Sequence, residues 1–174
     1  TNEGHILGQQ NNADKLFPIK GRIGNSVTET GDSLIWFTHP VSNSGKFILG
    51  CYNKKKGRLT NFNKIIAPNI IIVEQGGQTF CLTDTCIGLV NKDSLHPLIC
   101  YNENKTPYYI SAAIPWKKDG IMIATCKGLV LFDTKARTLQ TIFSSPGNCV
   151  RSLWKHGNYL FFGTYGKGFY ILKE

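Results

Sequence analysis

Apolar positions along the chain come in short bursts separated by polar turns. "HILGQQ" from His5, "KFILGCY" from Lys46, "FCLTD" from Phe80, "IMIAT" from Ile121 and "LFFGT" from Leu160 recur at intervals of 41, 33, 41 and 39 residues, counted from Ile6, Phe47, Phe80, Ile121 and Leu160. After each of the last four bursts a turn leads to a glycine with an apolar residue close behind, at Gly57-Arg58-Leu59, Gly88-Leu89, Gly128-Leu129 and Gly168-Phe169. Glycine suits the positive φ of tight hairpin turns and the apolar residue restarts a strand, so each burst is expected to pair with the segment after it. Upstream of the last three bursts lie "NIIIVEQGG", "YYISAAIPWKKDG" and "NCVRSLWKHGN", rich in strand formers and closed by polar turns. "PLICY" (Pro97–Tyr101) and "TLQTIF" (Thr138–Phe143) supply a fourth segment downstream of two of them.

Four short strands in about forty residues is the arithmetic of a β-propeller blade. A helical solenoid of similar period needs apolar residues at three-and-four spacing over whole helices, and glycine or proline interrupts nearly every such stretch here. The expected fold class is all-β: a β-propeller segment of about four to five blades of four-stranded antiparallel sheets, with incomplete terminal blades. The blades are placed at 1–32 (partial), 33–68, 69–107, 108–147 and 148–174 (partial). "HILGQQ" has no evident inner strand before it and "FYILK" no fourth strand after it. Further repeats of the same parent chain are therefore expected to flank the segment, and the isolated segment is expected to associate or fray at its open edges.

"VRSLWKHGNYLFFGTYGKGFYIL" resembles the short repeat of two-component regulator propellers, through Val150, Leu153, Gly157, Leu160, Gly163, Thr164, Gly168 and Phe169. The preceding repeat matches through Gly120, Ile123, Thr125, Gly128, Leu129, Phe132 and Asp133. "FCLTDTCIGLVNKD" keeps the Thr and the Gly-Leu pair but lacks the Gly before Thr. The resemblance implies the extracytoplasmic, periplasmic sensor domain of a bacterial hybrid two-component histidine kinase, a receptor often for oligosaccharides. It also implies a transmembrane helix and a kinase elsewhere in the parent protein, which makes this segment a ligand-sensing fragment and not an enzyme.

Composition narrows the alternatives. Twenty Lys and Arg against eleven acids give a net charge of +9, yet the bases are scattered and only Lys54-Lys55-Lys56-Gly57-Arg58 forms a cluster, which reads as a solvated hairpin turn. No nucleic-acid partner is expected. The longest apolar stretch is interrupted by Pro68 and Asn69 and falls far short of the roughly 18 residues a spanning helix needs, so no direct membrane contact is expected of this segment. The chain opens on Thr1 without a charged-then-apolar leader, which fits a processed or excised piece. The six cysteines show no zinc-ligand spacing and sit beside apolar bursts; buried free thiols are the expectation, with disulfides the alternative.

"GTYGKG" (Gly163–Gly168) opens a strand and not a helix, which excludes a phosphate-binding loop, and no spaced pair of carboxylates suggests hydrolysis. No cofactor and no metal site are expected. In a blade, the segment leading into the inner strand and the turn between the second and third strands emerge on the same edge, around the central channel. That topology gathers Tyr108, Tyr109, Asn148 and Arg151 with Tyr52, Lys127, Tyr165 and Lys167. Aromatic planes stack on sugar rings, while Arg and Lys pair with carboxylate or sulfate, so the partner expected is an oligosaccharide or other small polar, possibly acidic ligand. A protein-interaction propeller and a propeller hydrolase or lactonase are the rival functions. Trp36, Trp116 and Trp154 are expected to plug the cores between blades.

Overall fold

The bursts and turns resolve into strands throughout. The computed structural model describes residues 5–10, 13–18, 27–31, 33–91, 94–100 and 109–174, with strand backbone alone at 5–10, 13–18 and 63–64. Among the described residues there is no helix, and the strands form five antiparallel sheets. β1 (His5–Gln10) and β2 (Ala13–Pro18) make a two-stranded sheet. β3 (Val27–Thr30), β4 (Leu34–Pro40), β5 (Phe47–Asn53) and β6 (Arg58–Ala67) lie in chain order in the second. The third holds β7 (Ile70–Gln75), β8 (Gln78–Thr83), β9 (Cys86–Asn91) and β10 (Ser94–Cys100). The fourth holds β11 (Ile110–Trp116), β12 (Gly120–Thr125), β13 (Gly128–Asp133) and β14 (Thr138–Ser144). The last has three strands, β15 (Val150–His156), β16 (Tyr159–Thr164) and β17 (Gly168–Lys173). This is the expected all-β propeller segment of small antiparallel sheets.

The chain divides into two compact units, Thr1–Ile66 and Ala67–Glu174. In the first, Trp36 is buried, stacks at a tilt on Phe62 with centroids 5.4 Å apart, and donates its indole N–H to Thr30 Oγ1 at 2.8 Å. "KFILGCY" turns out to be the third strand of its sheet; Leu34–Pro40, which carries Trp36, is the second. The Lys54–Gly57 turn therefore joins the third strand to the fourth. It is a solvated turn: Asn53 Oδ1 accepts from Lys56 N at 2.9 Å, and Lys54 pairs with Glu29.

The second unit shows why the bursts are apolar at consecutive positions. Its sheets stand side by side, first strand next to first strand: Asn69 Nδ2 donates to Ile110 O, and Ser111 Oγ to Val150 O. Their faces pack together. Alternate residues of a strand face opposite ways, and β12 is buried at every position because it has a sheet on each side. Ile121 and Ile123 pack with Val73, Phe80, Leu82 and Phe132, while Met122 and Ala124 pack with Trp116, Leu129, Leu160 and Phe162. Each of the larger aliphatic and Phe side chains among them is worth about 1.5–3 kcal/mol of transfer free energy, which makes these two cores the main adhesive between sheets.

The recurring Gly-Leu pair has a steric cause. A Cβ at Gly128, where φ is +130°, would overlap the carbonyl oxygen of Phe143 on β14, and one at Gly88 would overlap that of His96 on β10. At Gly168, beside which no fourth strand is described, a Cβ would meet nothing within 4 Å. Trp154 departs from expectation. Trp36 and Trp116 are buried, but Trp154 is 60% exposed, because it lies on the face of β15–β17 turned away from the neighbouring sheet.

Candidate ligand-binding edge

In the second unit the Thr that ends each burst builds the turn that follows. Thr83 Oγ1 donates to Cys86 O at 3.1 Å and accepts from Cys86 N at 3.0 Å. Thr125 Oγ1 donates to Gly128 O at 3.0 Å and accepts from Lys127 N at 3.1 Å, and Thr164 Oγ1 donates to Gly168 O at 3.0 Å. A hydroxyl that donates and accepts within one turn competes well with continued strand pairing, which is why the hairpin closes there. The turns so formed, 84–85, 126–127 and 165–167, project from one edge of the unit.

The segments leading into β11 and β15 reach the same edge. Cys126 N donates to Tyr109 O at 3.2 Å and Tyr165 N to Cys149 O at 2.8 Å, so each turn is bonded to the leading segment of its own sheet. Ser145 N donates to Lys127 O at 2.9 Å, tying the 145–149 loop to the turn of the preceding sheet. Of the residues expected at this edge, Tyr109, Lys127, Asn148, Arg151, Tyr165 and Lys167 are thus brought together along two neighbouring sheets. Tyr109 is 49% and Tyr165 74% exposed. Arg151 holds its guanidinium 5.4 Å from the centroid of the Tyr109 ring, a cation over an aromatic face that joins β15 to the leading segment of β11. Asn148 is half-buried and donates from Nδ2 to Pro146 O at 3.3 Å, which leaves its Oδ1 beside Gly166.

Two expected members are not part of this group. Tyr52 lies within β5, paired with Ile35, and its sheet belongs to the first unit. It ends a third strand and not a second, so it sits at the opposite end of its sheet from the turn it was assigned to. Tyr108 lies outside the described residues.

Lys127, Arg151 and Lys167 place three cations among the described residues of the edge. Among the described residues no carboxylate pairs with Arg151 or Lys167. The acid nearest in the repeat is Asp84, whose Oδ1 accepts from Ile110 N at 3.4 Å across the junction between two sheets. Burial raises its pKa above the usual carboxylate range, with the hydrogen bond from Ile110 opposing that shift. Two clefts among the described residues, one against Gly77, Gln78 and His96 and one against Trp116, Asp119 and Asp133, lie at the other end of these sheets. Among the described residues no group of three His, Cys, Asp or Glu could hold a metal ion.

Reading the sequence alone missed one element of the edge. Cys126 and Cys149 form a disulfide, while Cys51, Cys81, Cys86 and Cys100 are free, so the expectation of six free thiols is corrected. Cys126 occupies the β12–β13 turn and Cys149 the position before β15, one sheet further on. The signal was available in the repeat: the equivalent positions one sheet earlier are Asp84 and Tyr109, already an edge turn and a leading segment. Only Cys51 and Cys81 are the buried thiols expected; burial pushes Cys51 up to about 11 and Cys81 further still, helped by Cys86.

No protein-family model matches the chain, and no curated protein matches it. Solved structures do. The extracellular domain of BT4673 from B. thetaiotaomicron, described in one crystal structure as a one component system, superposes with a TM-score of 0.72 at 15% identity over 97% of this chain and 24% of that one. A second structure, described as the extracellular domain of a hybrid two component system, gives 0.71 at 15% identity over 98% and 24%. The computationally designed Ika4 protein gives 0.61 at 9% identity over 89% of this chain and 92% of that chain. The chain spans about a quarter of the length of the BT4673 domain. At such identities the likeness shows the fold, and that fold is the propeller of small antiparallel sheets described above.

Proposed function

We propose that this chain is a ligand-sensing segment of an extracytoplasmic β-propeller receptor in a two-component signalling protein, located in the periplasm. It binds an acidic oligosaccharide, or another small polar anion, at the edge where Tyr109, Arg151, Lys127, Asn148, Tyr165 and Lys167 meet. The observation that carries this reading is the Arg151–Tyr109 pair: a cation that pairs with no carboxylate among the described residues, held over an exposed ring at a junction between two sheets. A sugar ring stacks on the tyrosine face, and its carboxylate or sulfate takes charge-assisted hydrogen bonds from the guanidinium and the neighbouring lysines. The fold shared with an extracellular sensor domain supports the setting. In this reading the segment binds its ligand without converting it, in keeping with the fold it shares with an extracellular sensor domain.

The test is calorimetric titration of the chain with a short uronic-acid oligosaccharide, with a neutral oligosaccharide of equal length as comparison. The acidic sugar is expected to bind more tightly. Tyr109→Ala, Arg151→Ala and Tyr165→Ala should each weaken it by about 1 to 3 kcal/mol, the scale of a lost charged hydrogen bond or aromatic contact. Lys117→Ala, at the other end of the sheets, should leave it unchanged. Equal affinity in all three edge variants, with the fold intact, overturns the assignment.

A further inference from the structure

The two accessible free thiols among the described residues are cross-strand partners. Of the four free cysteines, Cys51 and Cys81 are buried, Cys86 is half-buried and Cys100 is exposed. Cys86 opens β9 and Cys100 closes β10, and the register sets them directly opposite each other, next to the Ile87–Ile99 pair. Ile87 and Ile99 pack in the core shared with the fourth sheet. Alternate residues of a strand face opposite ways, so both thiols stand together on the other face of the third sheet. Thr83 holds Cys86 in this row: its hydroxyl bonds both the N–H and the carbonyl of Cys86 and lies 3.6 Å from the Cys86 Sγ. The strand that carries Cys100 is weakly held at this end. β10 is the outer strand of its sheet, half exposed along its length, and its register shifts between Pro97 and Ile99. Proline has no N–H to give the ladder, so past the shift only the Ile99 and Cys100 pairs fasten the strand end to β9.

We propose that Cys86 and Cys100 are a redox-active dithiol that closes into a second disulfide and staples the end of β10 to β9. Directly opposite residues of an antiparallel pair have Cα atoms about 4.5–5.5 Å apart, inside the roughly 4.4–6.8 Å that a disulfide spans. Cys81 is on the same face but opposite Gly88, one row along. It is thus diagonal to Cys86 at roughly 7–8 Å, beyond bridging reach without backbone movement. Burial also holds the Cys81 thiol protonated, and the thiolate is the nucleophile in this chemistry. The same unit already pairs two cysteines, Cys126 with Cys149. The oxidant is a disulfide donor, either a small molecule such as oxidised glutathione or the disulfide of an oxidoreductase. The exposed Cys100 thiolate attacks one donor sulfur, which forms a mixed disulfide and releases the first donor thiol. The Cys86 thiolate then attacks the Cys100 sulfur: the Cys86–Cys100 bond forms, the mixed bond breaks and the second donor thiol leaves. Two electrons and two protons pass from the dithiol to the donor.

The experiment takes the whole chain, with Cys126–Cys149 closed and the four other cysteines reduced, equilibrates it with oxidised glutathione and counts thiols after denaturation. The count is expected to fall from four to the two of Cys51 and Cys81, with the chain monomeric, no glutathione retained and Cys86 joined to Cys100 in the peptide map. Amide exchange at Ile99 and Cys100 should slow on oxidation, while that at Ser94 and Leu95, at the other end of β10, stays as it was. Cys86→Ser removes the resolving thiol, so Cys100 should then keep glutathione as a stable mixed disulfide. Cys100→Ser should leave Cys86 far slower to react than Cys100 is in the unaltered chain. The proposal is overturned by a count that stays at four, by glutathione retained on Cys100 of the unaltered chain, by a bridge from Cys86 to Cys81, or by chains cross-linked through Cys100. A Cys86–Cys100 bridge that leaves exchange at Ile99 and Cys100 unslowed would overturn the staple.

Discussion

The two junctions of the second unit share one plan and differ in every clamp. In both, a side chain on or just before one first strand donates to a carbonyl of the next first strand, Asn69 to Ile110 and Ser111 to Val150, above an apolar core. At the ligand edge the first junction has a long hydrogen bond from Ile110 N to a partly desolvated Asp84, whereas the second has the Cys126–Cys149 disulfide. At the other end the first junction has Gln75 Nε2 donating to Lys117 O at 2.9 Å and Lys118 O at 2.6 Å. The second has the Lys155 ammonium over Trp116. The apolar faces decide which sheet sits beside which, while the clamps at the rims are exchangeable in chemistry and set how firmly each edge is held. The proposed ligand residues cluster at the covalently clamped junction, which fixes Tyr109 and Arg151 on elements tied together.

The largest effect should come from closing the space that both plans require. Gly128→Ala forces a Cβ into the Phe143 carbonyl at a φ that alanine rarely adopts, and about 4 kcal/mol of lost stability is expected from overpacking and backbone strain together. Gly168→Ala carries only the conformational strain, about 1–2 kcal/mol. Denaturant unfolding of the two variants decides the point, and equal losses would mean that the fourth strand does not press on Gly128.

Removing the covalent clamp comes next. The bridge closes a loop of sequence separation 23, and the double variant Cys126→Ser/Cys149→Ser should lose about 3 kcal/mol by the chain-entropy relation. Thiol titration gives the direct count: four reactive groups in the denatured, unreduced chain and six after reduction. Six without reductant would show that the second junction has no covalent clamp.

The smallest effect concerns Asp84. Its folded pKa is raised above the unfolded value, so the fold favours the protonated carboxyl. That contribution is present below the ordinary carboxylate pKa of about 4 and is lost as pH rises through the folded value. The chain should therefore gain stability from Asp84 on acidification, and Asp84→Asn, which keeps an acceptor for Ile110 N, should abolish this gain without cost at neutral pH. Asp84→Ala should cost about 1 kcal/mol for the orphaned amide. Melting temperatures across the carboxylate range separate these outcomes; Asn as costly as Ala at neutral pH would contradict the direction of the shift.

The period, the strands and the Thr-led turns were legible in the sequence because their causes are local: a hydroxyl that closes its own hairpin, a glycine pressed on the next strand, consecutive apolar residues with a sheet on either side. What stayed hidden depends on neighbours. "LIWFTH" and "KFILGCY" are both apolar bursts, and only the pairing of β4 with both β3 and β5 reveals which is second, a slip that carried Tyr52 to the wrong end of its sheet. Trp116 and Trp154 share a face type, and Trp116 is buried because the β15–β17 sheet packs on the face that carries it. The disulfide required knowing that a turn in one sheet meets the leading segment of the next. Tyr109, Arg151 and Tyr165, by contrast, were placed by topology alone, and the structure brings them to one edge.

Because the two ends of the sheets differ so plainly, the most direct measurement is residue-resolved: chemical-shift mapping of backbone amides during titration with the uronic-acid oligosaccharide. The expected result is a set of shifts confined to 109–111, 126–128, 147–151 and 164–168, with 76–77, 117–119 and 157–158 at the other end unmoved. Shifts centred on those far turns, or none at millimolar sugar, would contradict a ligand edge built by the Thr-led turns.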